Sequence, residues 1–252
     1  MYGISEKLRA SGIHLGLSVL VAALVAAMVF LVWYPYPYRL ISGGRDLFLM
    51  VIAVDVIIGP LITLVVFSEK KQRRELIADF SVVIIIQLAA LGYGMWTVYI
   101  ARPVYLVFEY NRVVVVHAAD VDVAHLSDAP VGYRSIPLAG PKLLSLRQFK
   151  DATEKYDSTM LALGGVPLSA QPRLWQSWDD SRAEIIREAK PVNQLKQKFE
   201  DQAENIDGHI RKISIPEDEI LYLPLLSRRD AWTALIDKKS SRPIGFIPLD
   251  SF

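Results

Sequence analysis

The chain has 252 residues, of which 52% are hydrophobic and 22% are charged, and it contains no cysteine. The apolar residues are concentrated in the first hundred positions, which excludes a disordered chain and an ordinary soluble enzyme. The formal net charge of +1 excludes a strongly basic nucleic-acid binder, and the lack of cysteine excludes thiol catalysis, cysteine zinc sites and cysteine-ligated iron–sulfur clusters.

Three apolar segments are each long enough to cross a bilayer, which takes about 20 residues. They cover residues 13–33, 47–67 and 80–101. The first has no polar residue from Val19 to Val32 and ends in Trp33-Tyr34-Pro35 instead of a small-residue cleavage site. We therefore predict an uncleaved anchor rather than a signal peptide, followed by two further transmembrane helices.

Basic residues predict how the three spans are oriented. They are concentrated before the first span and between the second and third: Lys7, Arg9, Lys70, Lys71, Arg73 and Arg74. The loop between the first and second spans carries only Arg39 and Arg45. Because cytoplasmic loops are enriched in Lys and Arg, we predict a cytoplasmic N-terminus and a C-terminal part on the far side. Trp33 and Tyr34 are then expected at the outer membrane interface.

The remainder of the chain is predicted to fold separately, which divides the protein into a membrane region, 1–101, and a second domain, 102–252. Predicted strands cover 104–108, 113–117, 143–146, 220–226, 231–236 and 244–247. Predicted helices cover 149–163, 179–189 and 191–208. In the first of these helices Tyr156, Met160 and Leu163 share one face at helical spacing. Strands at both ends with helices between them predict an α+β domain with an antiparallel sheet whose two ends pair.

Asp55, near the middle of the second span, is the most informative residue of the sequence. A charge at the bilayer centre costs about 2.5–3.5 kcal/mol on insertion scales, so its side chain should face protein or water, or be protonated. Pro60 should kink or break the helix, and Gly59 permits close helix approach. One interpretation is a polar docking or transport point; the other is a structural hydrogen bond to Gln87, Thr63 or a backbone group.

No other residues form a recognisable chemical site. His117, Asp120, Asp122 and His125 are metal-ligand types, but their spacing matches no known motif. The chain contains no phosphate-binding loop, no GxSxG and no HExxH sequence. We therefore predict no catalytic residue, no metal and no cofactor, so the protein is not expected to be an enzyme.

A series of motifs runs from the first span into the second domain. The motifs are Trp33-Tyr34-Pro35-Tyr36-Pro37, Ser42-Gly43-Gly44, Asp55 followed by Gly59-Pro60-Leu61-Ile62-Thr63-Leu64, Gln87-Leu88-Ala89-Ala90-Leu91-Gly92-Tyr93-Gly94, Ala101-Arg102-Pro103-Val104 and Pro137-Leu138-Ala139-Gly140-Pro141. Together they resemble the TfpX/TfpZ family of type IV pilin accessory proteins over residues 13–141. Beyond Pro141 the resemblance is looser.

The resemblance implies a multi-pass inner-membrane protein of Gram-negative bacteria whose C-terminal domain is periplasmic. Such a protein is expected to act as a pilin-specific chaperone that binds its cognate type IV major pilin before or during pilus assembly. The expected surroundings are the lipid bilayer, the pilin and the pilus assembly machinery, without nucleic acid. The residues that we assign to partner binding are Asp55, Gly59, Pro60, Thr63, Gln87 and Arg102.

Two other functions remain open from the sequence. A membrane enzyme or transporter could use Asp55 in pilin modification or lipid-linked sugar handling, although such proteins usually have more spans or more polar groups within them. A membrane-anchored sensor could bind a ligand in its periplasmic domain, although the predicted cytoplasmic parts are only a short tail and a short loop.

Overall fold

The computed structural model describes residues 2–66 and 72–252. The chain forms two compact units, the first made of Met1–Arg39 and Gly43–Ala101, the second of Leu40–Ser42 and Arg102–Phe252. The predicted end of the second span at Phe67 and the basic residues Lys70 and Lys71 lie outside the described residues.

Long apolar helices make up the first unit. Its helical segments are α1 (Tyr2–Met28), α2 (Tyr38–Ile41), α3 (Gly44–Ala53), α4 (Gly59–Val66) and α5 (Arg73–Ile100). The short α2 ends in residues that belong to the second unit. Two π-helical segments, Val29–Trp33 and Val54–Ile58, extend α1 and join α3 to α4. By length and composition, three continuous helices can cross a membrane: Ser5–Trp33, Gly44–Val66 and Arg74–Ile100. We call them spans 1, 2 and 3, and they confirm the three predicted apolar helices.

The π-helical segment in span 2 lies just before Pro60. Proline has no amide hydrogen to donate into the helix, and its ring crowds the preceding turn. The backbone accommodates this by widening, so that the Gly59 amide donates to the Val54 carbonyl, five residues earlier. The predicted kink or break at Pro60 is thus a π-helical turn within a continuous helix.

Aromatic residues hold the ends of spans 1 and 3 together. The Tyr34 hydroxyl donates to the Val98 carbonyl at 3.0 Å. The Tyr34 ring also lies against Gly44, where a Cβ atom would collide with it. Trp33 and Tyr34 are both buried, packed with Val29, Phe48 and Val98. Both rings lie in the interior of the helical unit, and their expected place at the outer membrane interface stays a prediction.

A mixed β-sheet forms the centre of the second unit. Within the described ranges its strands are β1 (Pro103–Glu109), β2 (Arg112–His117), β3 (Lys142–Leu146), β4 (Trp175–Ser177), β5 (Lys190–Pro191), β6 (Ile220–Leu226), β7 (Ala231–Asp237) and β8 (Pro243–Ile247). Their order is β4-β3-β1-β2-β6-β7-β8, and β5 also pairs with β6. The two ends of the domain do pair in one sheet, through β2 and β6.

The sheet is mostly antiparallel, but it is not the purely antiparallel sheet that we predicted. The β1–β2 hairpin occupies the middle, and β3 and β6 join its two sides in parallel orientation. Parallel neighbours need long crossover connections. Residues 118–219 supply that crossover for β2 and β6, whereas β2 itself returns the chain to the end of the sheet where β1 and β3 both begin.

The helices of the second unit are shorter than predicted. They are α6 (Ala152–Leu163), α7 (Arg182–Glu188), α8 (Val192–Lys198) and α9 (Ala203–Ile210). Short 3-10 helices connect several elements: Ala118–Asp120, Val123–Asp128, Leu168–Ala170, Pro172–Leu174, Trp178–Ser181, Glu200–Gln202 and Glu217–Glu219. The single helix predicted over 191–208 is broken at Phe199, whose φ of −127° and ψ of 63° are not helical.

The apolar face of α6 is exposed. Tyr156, Met160 and Leu163 are 64%, 43% and 77% exposed, whereas Ser158 is fully buried. The core on this side of the sheet is filled instead by residues outside α6, including Tyr105, Leu144 and Trp175. The apolar spacing therefore identified the helix correctly, although this face does not contribute to the core.

Candidate intramembrane site

Asp55 lies on the π-helical segment of span 2 and is only 8% exposed. Its Oδ1 atom is buried and has no hydrogen-bond partner among the described residues. A buried carboxyl oxygen without a partner is costly in an apolar environment, and one lying deep within a helix of membrane-spanning length is especially so. Asp55 Oδ1 is therefore an acceptor that lacks a polar contact.

A cavity of about 320 Å³ lies between the three spans, and Asp55 lines it. Most of the lining is aliphatic or aromatic. The polar side chains in the lining are His14 and Ser18 from span 1, Asp55 and Thr63 from span 2, and Gln87 from span 3. All three spans thus contribute a polar group to one largely apolar cavity.

His14, like Ser18, is a polar residue of this cavity that we did not assign to the site. Its Nδ1 lies 2.6 Å from the Thr63 hydroxyl oxygen, and its ring interacts electrostatically with Asp55. Ser11, His14 and Ser18 are spaced three and four residues apart, which places them on one face of α1. That polar face in an otherwise apolar span was the signal in the sequence that could have identified His14.

Gly59 and Pro60 are contacts between the spans of this chain. A Cβ atom at Gly59 would collide with the Gln87 side-chain amide and lie 3.3 Å from Nε2 of His14. The Ser11 hydroxyl donates to the Pro60 carbonyl at 2.9 Å. Close approach at Gly59, which we expected for a partner helix, is used here by spans 1 and 3.

The predicted binding residues other than Arg102 come together around this cavity. Arg102 lies in the second unit, where it is buried and its Nη2 donates to the Pro137 carbonyl at 3.0 Å. A structural hydrogen bond from Thr63 to Asp55 is not seen, because the Thr63 hydroxyl contacts His14.

The four metal-ligand types of the second unit form two separate pairs. His117 contacts Asp120 at 3.2 Å, and His125 contacts Asp122 at 2.7 Å. Burial alone would raise the pKa of Asp120, but hydrogen bonds from His117 and Arg228 outweigh it and lower the pKa to about 2. Among the described residues, no group of three or more such side chains is placed to hold a metal ion.

Within the described residues, the chain combines three helices compatible with membrane insertion, a largely apolar cavity between them and a folded C-terminal unit with a mixed sheet. A protein family described as "Fimbrial assembly protein FimB" matches residues 3–43. Two proteins of Dichelobacter nodosus, "Fimbrial assembly protein, serogroup I" and "serogroup E1", are 38% and 35% identical over 96% of this chain and 95% of theirs. The chain therefore belongs to the fimbrial assembly protein family.

A third protein of that organism, "Fimbrial assembly protein, serogroups C1 and C2", is 44% identical over 47% of this chain and 91% of its own. No solved structure matches the chain. The resemblance drawn from the sequence is confirmed at the level of a fimbrial assembly family, and the narrower TfpX/TfpZ assignment stays a prediction.

Proposed function

We propose that this chain is an inner-membrane assembly factor that binds and stabilises a type IV major pilin before or during pilus assembly. The observation that carries the proposal is its similarity to fimbrial assembly proteins over 96% of its length. Its role is that of a pilin-specific chaperone, which acts by binding, without catalysis, metal or cofactor.

The proposed placement puts the N-terminus in the cytoplasm and the second unit in the periplasm. It is supported by the basic residues before span 1 and between spans 2 and 3. A pilin in the bilayer has one apolar helix and a globular periplasmic head, so the two units could meet both parts. A phosphatase fused after Ser251 should be active and a fluorescent protein at Gln72 should fluoresce; the reverse pattern would contradict this placement.

The cavity between the spans is the proposed contact for the pilin helix. Helices in lipid associate through close packing and polar contacts, because lipid is as apolar as a leucine side chain. Asp55, Thr63 and Gln87 supply polar groups there, while Gly59 and Pro60 shape the cavity by packing against the other spans.

Co-purification from membranes tests the proposal. The full chain, carrying an affinity tag, is isolated from cells with and without the major pilin gene, beside an unrelated tagged inner-membrane protein. The pilin should be recovered with the chain and not with the control. Equal recovery with both proteins, or no recovery with either, would contradict the proposed function.

A further inference from the structure

We propose that the cavity receives a hydrogen-bond-donating side chain, carried to the middle of the membrane by a partner's transmembrane helix, and that Asp55 Oδ1 is its acceptor. The inference rests on the proposed function in one respect: it takes the pilin helix as the source of that donor. The chemistry of the occupant is argued from the cavity alone.

The polar side chains that line the cavity do not satisfy its buried acceptor. Asp55 is more than nine-tenths buried and lines the cavity, yet within the part of the chain that the structure describes its Oδ1 has no hydrogen-bond partner. The Thr63 hydroxyl and Nδ1 of His14, which also line the cavity, contact each other at 2.6 Å. A group that donates to Oδ1 would therefore remove the main unsatisfied polar atom of this site.

The size and lining of the cavity indicate an occupant that is mainly apolar. Its volume of about 320 Å³ is far larger than a single ion needs. Ordered water requires two to four polar partners. Because most of this lining is aliphatic or aromatic, ordered water is not the expected occupant. A side chain with an apolar stem and one hydroxyl, amide or ammonium group fits both conditions.

Lipid cannot supply that group at this depth. Asp55 lies near the middle of span 2, whereas headgroups lie about 15 Å from the bilayer centre, and acyl chains have no donor. A transmembrane helix can carry a polar side chain to that depth. Access is from the side, since Leu17 of span 1 and Leu88 of span 3 both line the cavity and are 59% and 64% exposed.

Site-specific photocrosslinking in membranes tests the inference. The photoreactive residue is placed at Leu88, which lines the cavity, or at Ile86, which is 61% exposed on the same helix but does not line it. Leu88 should crosslink the pilin helix and Ile86 should not. The crosslinked pilin residue, identified by mass spectrometry, should lie within one helical turn of a hydroxyl, amide or amine side chain. Crosslinks from Leu88 to lipid alone would overturn the inference.

Substitutions then test the donor–acceptor contact. Asp55→Leu should lower the Leu88 crosslink by about 3- to 30-fold, and Asp55→Asn, which keeps an acceptor oxygen, should lower it less. Thr97→Val is the control, because the Thr97 hydroxyl donates to the carbonyl of Tyr93 in its own helix. If the Asp55→Leu variant does not accumulate in the membrane, the test is made on the pilin instead. Its donor residue is replaced by an apolar residue of similar shape, and the Leu88 crosslink should fall by the same factor.

The outcomes separate this inference from the proposed function. Pilin that co-purifies and crosslinks equally with Asp55→Leu and with the unchanged chain would overturn the donor contact and leave pilin binding intact. Failure of co-purification, with an Asp55-dependent crosslink to a donor-bearing helix of another membrane protein, would overturn pilin binding and support the contact.

Discussion

Nδ1 of His14 and the hydroxyl oxygen of Thr63 lie 2.6 Å apart, although 49 positions separate the two residues in the chain. The contact joins span 1 to span 2 beside the buried carboxyl group of Asp55. Water is scarce at such depth, so polar groups of a helical bundle must satisfy one another or a ligand. His14 and Thr63 satisfy each other through this contact. Asp55 Oδ1 is left to accept a hydrogen bond from another group.

Thr63→Val should destabilise the helical unit, because valine keeps the shape of threonine but cannot contact His14 through a hydroxyl. Polar contacts between membrane helices contribute about 0.6–2 kcal/mol to the free energy of unfolding. Thr63→Val should lower that free energy by an amount in this range. Unfolding of the full chain in detergent is the measurement, with Thr97→Val as the matched control. Equal stability of the two variants would show that the His14–Thr63 contact does not stabilise the bundle.

Gly59→Ala should lower the amount of protein in the membrane, because the new methyl group would collide with the Gln87 amide. Gly92→Ala is the control: Gly92 lies in span 3 and has no atom within 4 Å of the added carbon. Membrane fractions are compared by immunoblot at equal expression. If both variants accumulate like the unchanged chain, the close packing of spans 2 and 3 at Gly59 is not required.

Local sequence patterns predicted the helices and strands better than they predicted which strands pair with one another. The apolar runs in β1 and β2 and the turn between them indicated a hairpin, and the hairpin is present. The parallel pairing of β2 with β6 depends on residues about a hundred positions apart, and no local pattern encodes it. The break at Phe199 was missed because neither proline nor glycine stands there.

The same distinction holds for the site. The charge of Asp55 within an apolar run was sufficient to single it out, and Pro60 indicated a disturbed helix nearby. The Ser11–His14–Ser18 spacing indicates a polar face on α1, but not which span that face contacts. Arg102 was grouped with the membrane residues because it follows span 3 directly, yet its guanidinium group is used inside the second unit.

Glu154→Gln should destabilise the protein at neutral pH and have little effect near pH 2. Hydrogen bonds from Arg147, at 2.6 and 2.8 Å, outweigh the opposing effect of desolvation and lower the pKa of Glu154 from 4.5 to about 2. A lowered pKa in the folded state gives stability that is present above the unfolded value and is lost as the pH falls toward 2.

The measurement is unfolding of the full chain in detergent at several pH values between 7 and 2. The stability difference between the unchanged chain and Glu154→Gln should shrink as the pH falls from about 4.5 to about 2. The exposed Glu200→Gln is the control and should show no such trend. A difference that stays constant with pH would contradict the assigned role of the Arg147–Glu154 pair.

Leu195→Ala and Leu163→Ala remove the same atoms from two different environments. Leu195 is fully buried in the second unit, and Leu163 on α6 is 77% exposed. Because Leu195 is buried, Leu195→Ala should lower the free energy of unfolding by about 2–5 kcal/mol. An exposed substitution usually changes stability by no more than about 0.5 kcal/mol, which is the expectation for Leu163→Ala. Similar losses for both variants would mean that the α6 face is covered in the folded protein.

The lifetime of the pilin in membranes tests the central claim most directly. Pulse-labelled major pilin is followed in cells that produce the full chain, in cells that lack it, and in cells that produce Asp55→Leu at equal membrane abundance. The account predicts the longest pilin lifetime with the unchanged chain, an intermediate lifetime with Asp55→Leu and the shortest without the chain. An equal pilin lifetime in all three strains would contradict a chaperone role for this protein.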